Sequence, residues 1–187
     1  MHSKRQLLFV QGGGKGTHDD WDSKLVESLR HALGEDYHID YPRMPDEDDP
    51  SYASWKKKLE RAFEPLRDDA ILVGHSIGAT ILLKSLSEPS AARKFGAIFL
   101  LAAPFVGAGG WSANDLQIPA DLGARLPQDI PIHFYHGLDD ETAPPSHLDL
   151  YARAVPQARV ERLAGRDHQL DNDLTEVAAA ILAHRRT

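Results

Sequence analysis

Apolar positions along this chain follow two alternating rhythms. Short, largely apolar runs at 7–10, 70–73, 95–101 and 132–136 have the length and character of strands buried on both faces, as in a parallel sheet. Between them, apolar residues recur every three or four positions. Leu25, Val26, Leu29 and Leu33 mark a helix over 21–33, which Asp22 or Ser23 can cap and Gly34 can end. Trp55, Leu59, Ala62 and Phe63 give the buried stripe of a second helix over 51–63, where Trp55 reads as core. Further helices are predicted over 76–87, ended by Pro89, over 146–155 and over 174–184. Residues 37–41 alternate apolar with polar and read as an edge strand; 158–163 read as an amphipathic sixth strand.

Strand and helix therefore alternate through the whole chain. That pattern predicts an α/β fold in three layers, a six-stranded parallel sheet between helices, as one domain over 1–187. Right-handed crossovers give strand order 2-1-3-4-5-6, with the switch point between strands 1 and 3. Ligands bind there, beyond the carboxyl ends of the strands, where the loop 11–17 and the turn after strand 3 both emerge. Residues 102–129 have no strong period. They are expected to hold short helices, to act as a minimal cap and to wall a pocket.

The turn after strand 3 carries the chemistry. It reads Gly74-His75-Ser76-Ile77-Gly78, between an apolar run and a helical pattern. Gly-x-Ser-x-Gly in that setting is a nucleophile elbow, a strained turn that lifts the serine hydroxyl off the sheet. A Cβ at either flanking position would collide with a neighbouring element. The helix that follows aims N–H groups at any oxyanion formed beside the serine. The expected donors are the N–H of Ile77 and one from the first loop, Gly13. Gly12, Gly14 and His18 are expected to line the same pocket. Phe105 and Trp111, with Gly109 and Gly110, are expected to shape its acyl or alcohol side.

A serine hydroxyl needs a base, and the base needs an orienting acid. Of ten histidines, His168 lies in the exit loop of the last strand, where it can lean over Ser76. His75 should point away from the elbow and bond beneath it, and His136 should be structural. Asp139 and Asp140 both leave the fifth strand at the correct end of the sheet, and one of them should be a solvated neighbour. Asp167, adjacent to His168, is poorly placed to orient it.

Composition narrows the alternatives. The 187 residues carry a net charge of −7, a poor match to nucleic acid or an anionic membrane. The acidic run 46–49, between Pro45 and Pro50, reads as a solvated loop. There is no cysteine, which excludes disulfides, thiolate zinc sites and a cysteine nucleophile. The first residues run into strand 1 without a separate apolar leader segment, and no run approaches membrane-spanning length. The expectation is a soluble, cytoplasmic protein that needs no cofactor or metal. Phosphate-loop patterns fail in 11–17: Gly16 follows Lys15 where Ser or Thr is required, and Thr17 replaces the third glycine of a dinucleotide fingerprint.

These residues resemble the α/β-hydrolase superfamily, and among its members the small, nearly lidless serine hydrolases of the retinoblastoma-binding-protein type. Gly12-Gly13 resembles the oxyanion loop, with Gln11 where many members have His. Gly74-His75-Ser76-Ile77-Gly78 matches the elbow. Residues 137–144 resemble the Gly-x-x-Asp-x-x-Val-Pro segment in a register that selects Asp140, and Gly165-Arg166-Asp167-His168 resembles the histidine loop. The resemblance covers nearly the whole chain and implies a Ser76–His168–Asp140 triad acting on a small-molecule carboxylic ester or related acyl bond. The rivals are the same fold as a peptidase or thioesterase, a weakly active binding or scaffold protein, and a nucleotide-binding protein.

Overall fold

The computed structural model describes residues 4–89 and 93–184. Met1, His2 and Ser3, part of the segment read above for a leader, lie outside the described residues. Six parallel strands, β1 (Arg5–Val10), β2 (Tyr37–Asp40), β3 (Ile71–His75), β4 (Ala97–Leu101), β5 (Ile132–Gly137) and β6 (Arg159–Leu163), form one sheet of order β2-β1-β3-β4-β5-β6. The helices are α1 (Asp22–Leu33), α2 (Tyr52–Phe63), α3 (Ile77–Leu86), α4 (Leu122–Arg125), α5 (Ser146–Ala154) and α6 (Thr175–Ala183).

Side chains alternate across each strand, so every central strand feeds two cores. Leu7 and Phe9, Ile71 and Val73, and Phe99 and Leu101 pack under Leu25, Val26 and Leu29 of α1 and Val177 and Ile181 of α6. Leu8 and Val10, Leu72, Ile98 and Leu100, and Phe134 face Trp55 and Leu59 of α2, Ile81 and Leu82 of α3, and Leu148 and Tyr151 of α5. Each fully buried side chain of this size contributes about 1.5–3 kcal/mol. The two-sided burial explains why the central strands are unbroken apolar runs while the edge strands β2 and β6 are not. Ser51 caps α2, its side chain accepting from the Ser54 N–H at 3.3 Å.

Two expectations change. The helix predicted over 21–33 begins one residue later, after a π-helical turn at Thr17–Trp21, which leaves Trp21 outside α1. Residues 102–129 hold one short helix, α4, and a bridge between Val106 and Trp111. Val106, Leu116, Ile118 and Leu122 sink into the α2–α3–α5 core, with Phe105 and Trp111 packed against it, so this segment completes that core.

The sheet's switch point positions the site. In the β1–β3 pairing Val10 lies opposite Gly74, so the loop after β1 and the turn after β3 leave the sheet side by side. Among the described residues, no helix is long and apolar enough to cross a membrane.

Candidate active site

Ser76 sits between β3 and α3 with φ 52° and ψ −133°, a left-handed conformation that a residue with a Cβ rarely adopts. Packing enforces it. A Cβ on Gly74 would stand 2.7 Å from the Ala79 Cα, and one on Gly78 only 1.9 Å from the Gln11 carbonyl oxygen. The two glycines thus let α3 lie against its own strand and against the end of β1, and the serine takes up the strained turn between them. The residue is nearly buried, at 9 % exposure.

Two loops, those after β5 and β6, bring the other two expected residues to it. His168 Nε2 lies 2.9 Å from Ser76 Oγ, and His168 Nδ1 lies 2.8 Å from Asp140 Oδ2. Asp140 is buried while Asp139 is exposed, which resolves the choice between them. The other Asp140 oxygen, Oδ1, accepts the N–H groups of Thr142 at 2.9 Å and Ala143 at 2.8 Å. Burial opposes a charge on Asp140. Hydrogen bonds from His136 and His168, the charge of His168 and the Ala143 N–H outweigh that cost and hold its carboxyl well below the ordinary carboxylate range. With Asp140 ionised, His168 keeps its proton on Nδ1, and Nε2 presents a lone pair to the serine hydroxyl. His136 bonds the Ala143 carbonyl at 2.8 Å and so braces the Asp140 turn.

The glycine loop after β1 arches over the elbow. A Cβ on Gly13 would meet Ile77 Cγ2 at 2.9 Å, and one on Gly12 would meet Ser76 Cβ at 3.1 Å. The N–H of Gly12 is taken by Asp22 at 2.7 Å and that of Gly14 by the Glu47 carbonyl at 2.6 Å. Among the described residues, the N–H groups of Gly13 and Ile77 have no protein acceptor, and both residues are partly open to solvent. They are the two donors expected to hold an oxyanion.

The acidic run 46–49 is more than a solvated loop. Glu47 accepts from the Gln11 side chain at 2.7 Å, the Gly16 N–H at 2.9 Å and the His18 N–H at 3.0 Å. Gln11 is fully buried, and its Oε1 accepts the Met44 N–H at 2.9 Å. Together they tie the glycine loop to the β2–α2 connection.

A cavity of about 250 Å³ opens beside Ser76 and His168, lined by the glycine loop with Lys15 and Thr17, and by Trp21, His75 and Gln169. Gly12, Gly13 and Gly14 line it as expected. His18 lies outside it, its ring stacked on Tyr41 with centroids 4.2 Å apart. Phe105 and Trp111 lie outside it as well, because Phe105 packs edge-on to Tyr151 and Trp111 edge-on to His147. Sequence reasoning missed Trp21, Lys15 and Gln169. Trp21 is 53 % exposed, unusual for a tryptophan, and the periodicity had assigned it to the start of a helix. His75 points away from the hydroxyl and bonds Asp22, whose part in the site had no signal beyond a capping position. Among the described residues, no three His, Asp or Glu side chains gather as a metal site.

Comparison with known proteins agrees with this architecture. The sequence profile of the "Alpha/beta hydrolase family" matches residues 7–186. No curated protein matches in sequence. Among solved structures, the meta-cleavage product hydrolase CumD from Pseudomonas fluorescens IP01 is similar at a TM-score of 0.75 and 11% identity, covering 98% of this chain and 91% of that one. The ydeN gene product of B. subtilis is similar at 0.71 and 17% identity, covering 97% and 98%. The esterase domain of a Rhodothermus marinus protein is similar at 0.63 and 17% identity, covering 98% and 87%. At these identities the likeness concerns the fold.

Proposed function

The chain belongs to the alpha/beta hydrolase family, and from that premise we propose that it is a serine hydrolase that cleaves small carboxylic esters through an acyl-enzyme. The observation that carries this reading is the continuous hydrogen-bonded line Asp140–His168–Ser76, with links of 2.8 and 2.9 Å.

The chemistry follows from the geometry. Ser76 Oγ attacks the ester carbonyl as His168 Nε2 takes its proton. The carbonyl oxygen becomes an anion, stabilised by the N–H groups of Gly13 and Ile77; one such donor is worth about 3 kcal/mol in comparable sites. The C–O bond to the leaving alcohol breaks, and the alcohol departs with the proton from His168. Water then attacks the acyl-enzyme, again giving a proton to Nε2. Collapse of the second intermediate releases the acid and returns the proton to Ser76. Asp140, ionised throughout, holds the imidazole in one tautomer and stabilises its cation.

Cavity size supports a small substrate. Pockets for drug-sized ligands run to about 300–1,000 Å³, and this one is smaller. Trp21 offers the large apolar surface at its rim, suited to one face of an alcohol or aryl group.

The test is labelling with a fluorophosphonate probe, wild type beside Ser76→Ala, followed by p-nitrophenyl esters from acetate to decanoate. The expected result is labelling that vanishes in the variant and rates that fall beyond short acyl chains. Equal labelling of both proteins, or none of the wild type with no turnover of any ester, would overturn the assignment.

A further inference from the structure

A second carboxylate–histidine pair lies under the elbow, outside the line that carries the proposed reaction. Asp22, the first residue of α1, and His75, the last of β3, are 0 % and 1 % exposed. His75 Nδ1 stands 2.9 and 3.0 Å from the two Asp22 oxygens, and its Nε2 stands 3.0 Å from the backbone carbonyl of His168.

The hydrogen-bond partners constrain the protons. A carbonyl oxygen only accepts, so Nε2 must carry a hydrogen. Asp22 Oδ2 already accepts the Gly12 N–H at 2.7 Å, and Oδ1 already accepts the Gln169 amide at 3.0 Å. Three donors, the Gly12 N–H, the Gln169 amide and the His75 ring, converge on the two oxygens, an environment that favours the ionised carboxylate over the carboxylic acid, so the shared proton is assigned to Nδ1. The ring thus donates from both nitrogens and is an imidazolium facing a carboxylate.

The partners of this pair are not scattered. One is Gly12 of the oxyanion loop, and the other two are the backbone of His168 and the side chain of Gln169, while His75 itself belongs to the elbow. We propose that Asp22 and His75 form a permanently charged pair that positions the base loop and the oxyanion loop about Ser76. This inference rests on the serine-hydrolase reading for its consequence in rate, though the charge state stands independently of it.

The electrostatic surroundings agree. Burial disfavours both charges. The charge of Asp22, its hydrogen bond, the His168 carbonyl and more distant Asp140 nevertheless raise the His75 pKa, while His75, Gly12 and Gln169 lower that of Asp22. The charged or titratable groups facing His75 are Asp22 from α1, Asp140 from the loop after β5 and His168, whose ring centroid lies 5.2 Å away. A bare imidazolium so near His168 would oppose the charge that His168 gains when it takes the serine proton. Pairing with Asp22 cancels that repulsion, so the two residues work only together.

Two measurements test this. In nitrogen-15 histidine spectra of the wild type, the signals lost in His75→Gln should show both ring nitrogens protonated from pH 6 to 8. A bare nitrogen in that range overturns the inference without touching the serine-hydrolase reading. In kinetics, Asp22→Asn should lower kcat roughly 100-fold, the order expected from slight misplacement of reacting groups, with KM nearly unchanged. The double variant Asp22→Asn/His75→Gln removes both charges, so it should recover melting temperature while kcat stays low. If Asp22→Asn keeps kcat within threefold, or if the double variant restores kcat along with stability, the pair is a packing element and the proposal fails. Fluorophosphonate labelling of Ser76 in the wild type separates that failure from failure of the proposed function.

Discussion

Replacing Asp140 by asparagine tests the proposed mechanism at its most buried joint. The amide must place its one oxygen. If the oxygen faces the N–H groups of Thr142 and Ala143, the amide nitrogen faces His168 Nδ1. If the oxygen faces His168, the amide hydrogens collide with two backbone donors, and each donor left unsatisfied costs about 1–3 kcal/mol. The first orientation keeps both backbone bonds; it turns the amide nitrogen toward His136 Nε2, 3.1 Å from that carboxyl oxygen, but His136 stays satisfied by the Ala143 carbonyl, so this orientation is favoured.

That orientation reverses the tautomer. The amide can only donate to His168 Nδ1, so the imidazole proton moves to Nε2, where it faces Ser76 Oγ. A protonated Nε2 cannot take the hydroxyl proton. The expected loss in kcat is about 10⁴-fold, the size seen when a triad acid is neutralised in place. That corresponds to about 5.4 kcal/mol at the transition state. The assay is steady-state hydrolysis of p-nitrophenyl acetate against a Ser76→Ala background, with thermal melting to confirm the fold. A folded Asp140→Asn protein within tenfold of wild type would refute the assignment of Asp140 as the orienting acid.

Two more outcomes follow from the same coordinates. Trp21→Ala removes an exposed indole from the cavity rim, which should raise KM for aryl esters about 2- to 10-fold, the equivalent of 0.5–1.5 kcal/mol of aromatic contact, and leave kcat and the KM for methyl esters nearly unchanged; an equal shift for both ester types would place Trp21 off the binding path. The Asp140 carboxyl is held below its ordinary value of 3.8, so its contribution to stability is present above that pH and is lost as pH falls toward the folded-state value. Over that acid window each such group steepens the loss by up to about 1.4 kcal/mol per pH unit, and Asp140→Asn should flatten the fall of melting temperature below pH 4 relative to wild type. Parallel curves would mean that the carboxylate is equally favoured in the unfolded chain.

The sheet could be read from the chain because two-sided burial leaves an unambiguous signature. Leu7–Val10 and Ile71–Val73 are apolar at every position because each face of the sheet is covered. Order then followed from the handedness of the crossovers, which depends little on individual side chains. Ser76 was legible for a related reason. Its strain demands glycine at 74 and 78, where a Cβ would strike Ala79 and Gln11, so the backbone writes its requirement into local spacing.

What stayed hidden was polar and long-range. Asp22, Glu47 and Gln169 meet their partners across 10 to 147 residues of chain, and an acidic side chain bound to backbone N–H groups has the same letter as one in water. Asp22 looked like a helix cap and Glu47 like part of a solvated run. The pocket was misplaced for a similar reason. Phe105 and Trp111 follow β4 and are aromatic, but the core beneath α2 and α5 still had apolar surface to cover, and those rings were drawn into it. The rim was left to Trp21, which the π-helical turn Thr17–Trp21 rotates off the face of α1. Hydrophobic pattern therefore locates the mouth of such a site, while the residues that stiffen it emerge only when acceptors are counted against donors in three dimensions. That count singles out Asp22 and Glu47 as the two anchors of the glycine loop, one beneath it and one beside it.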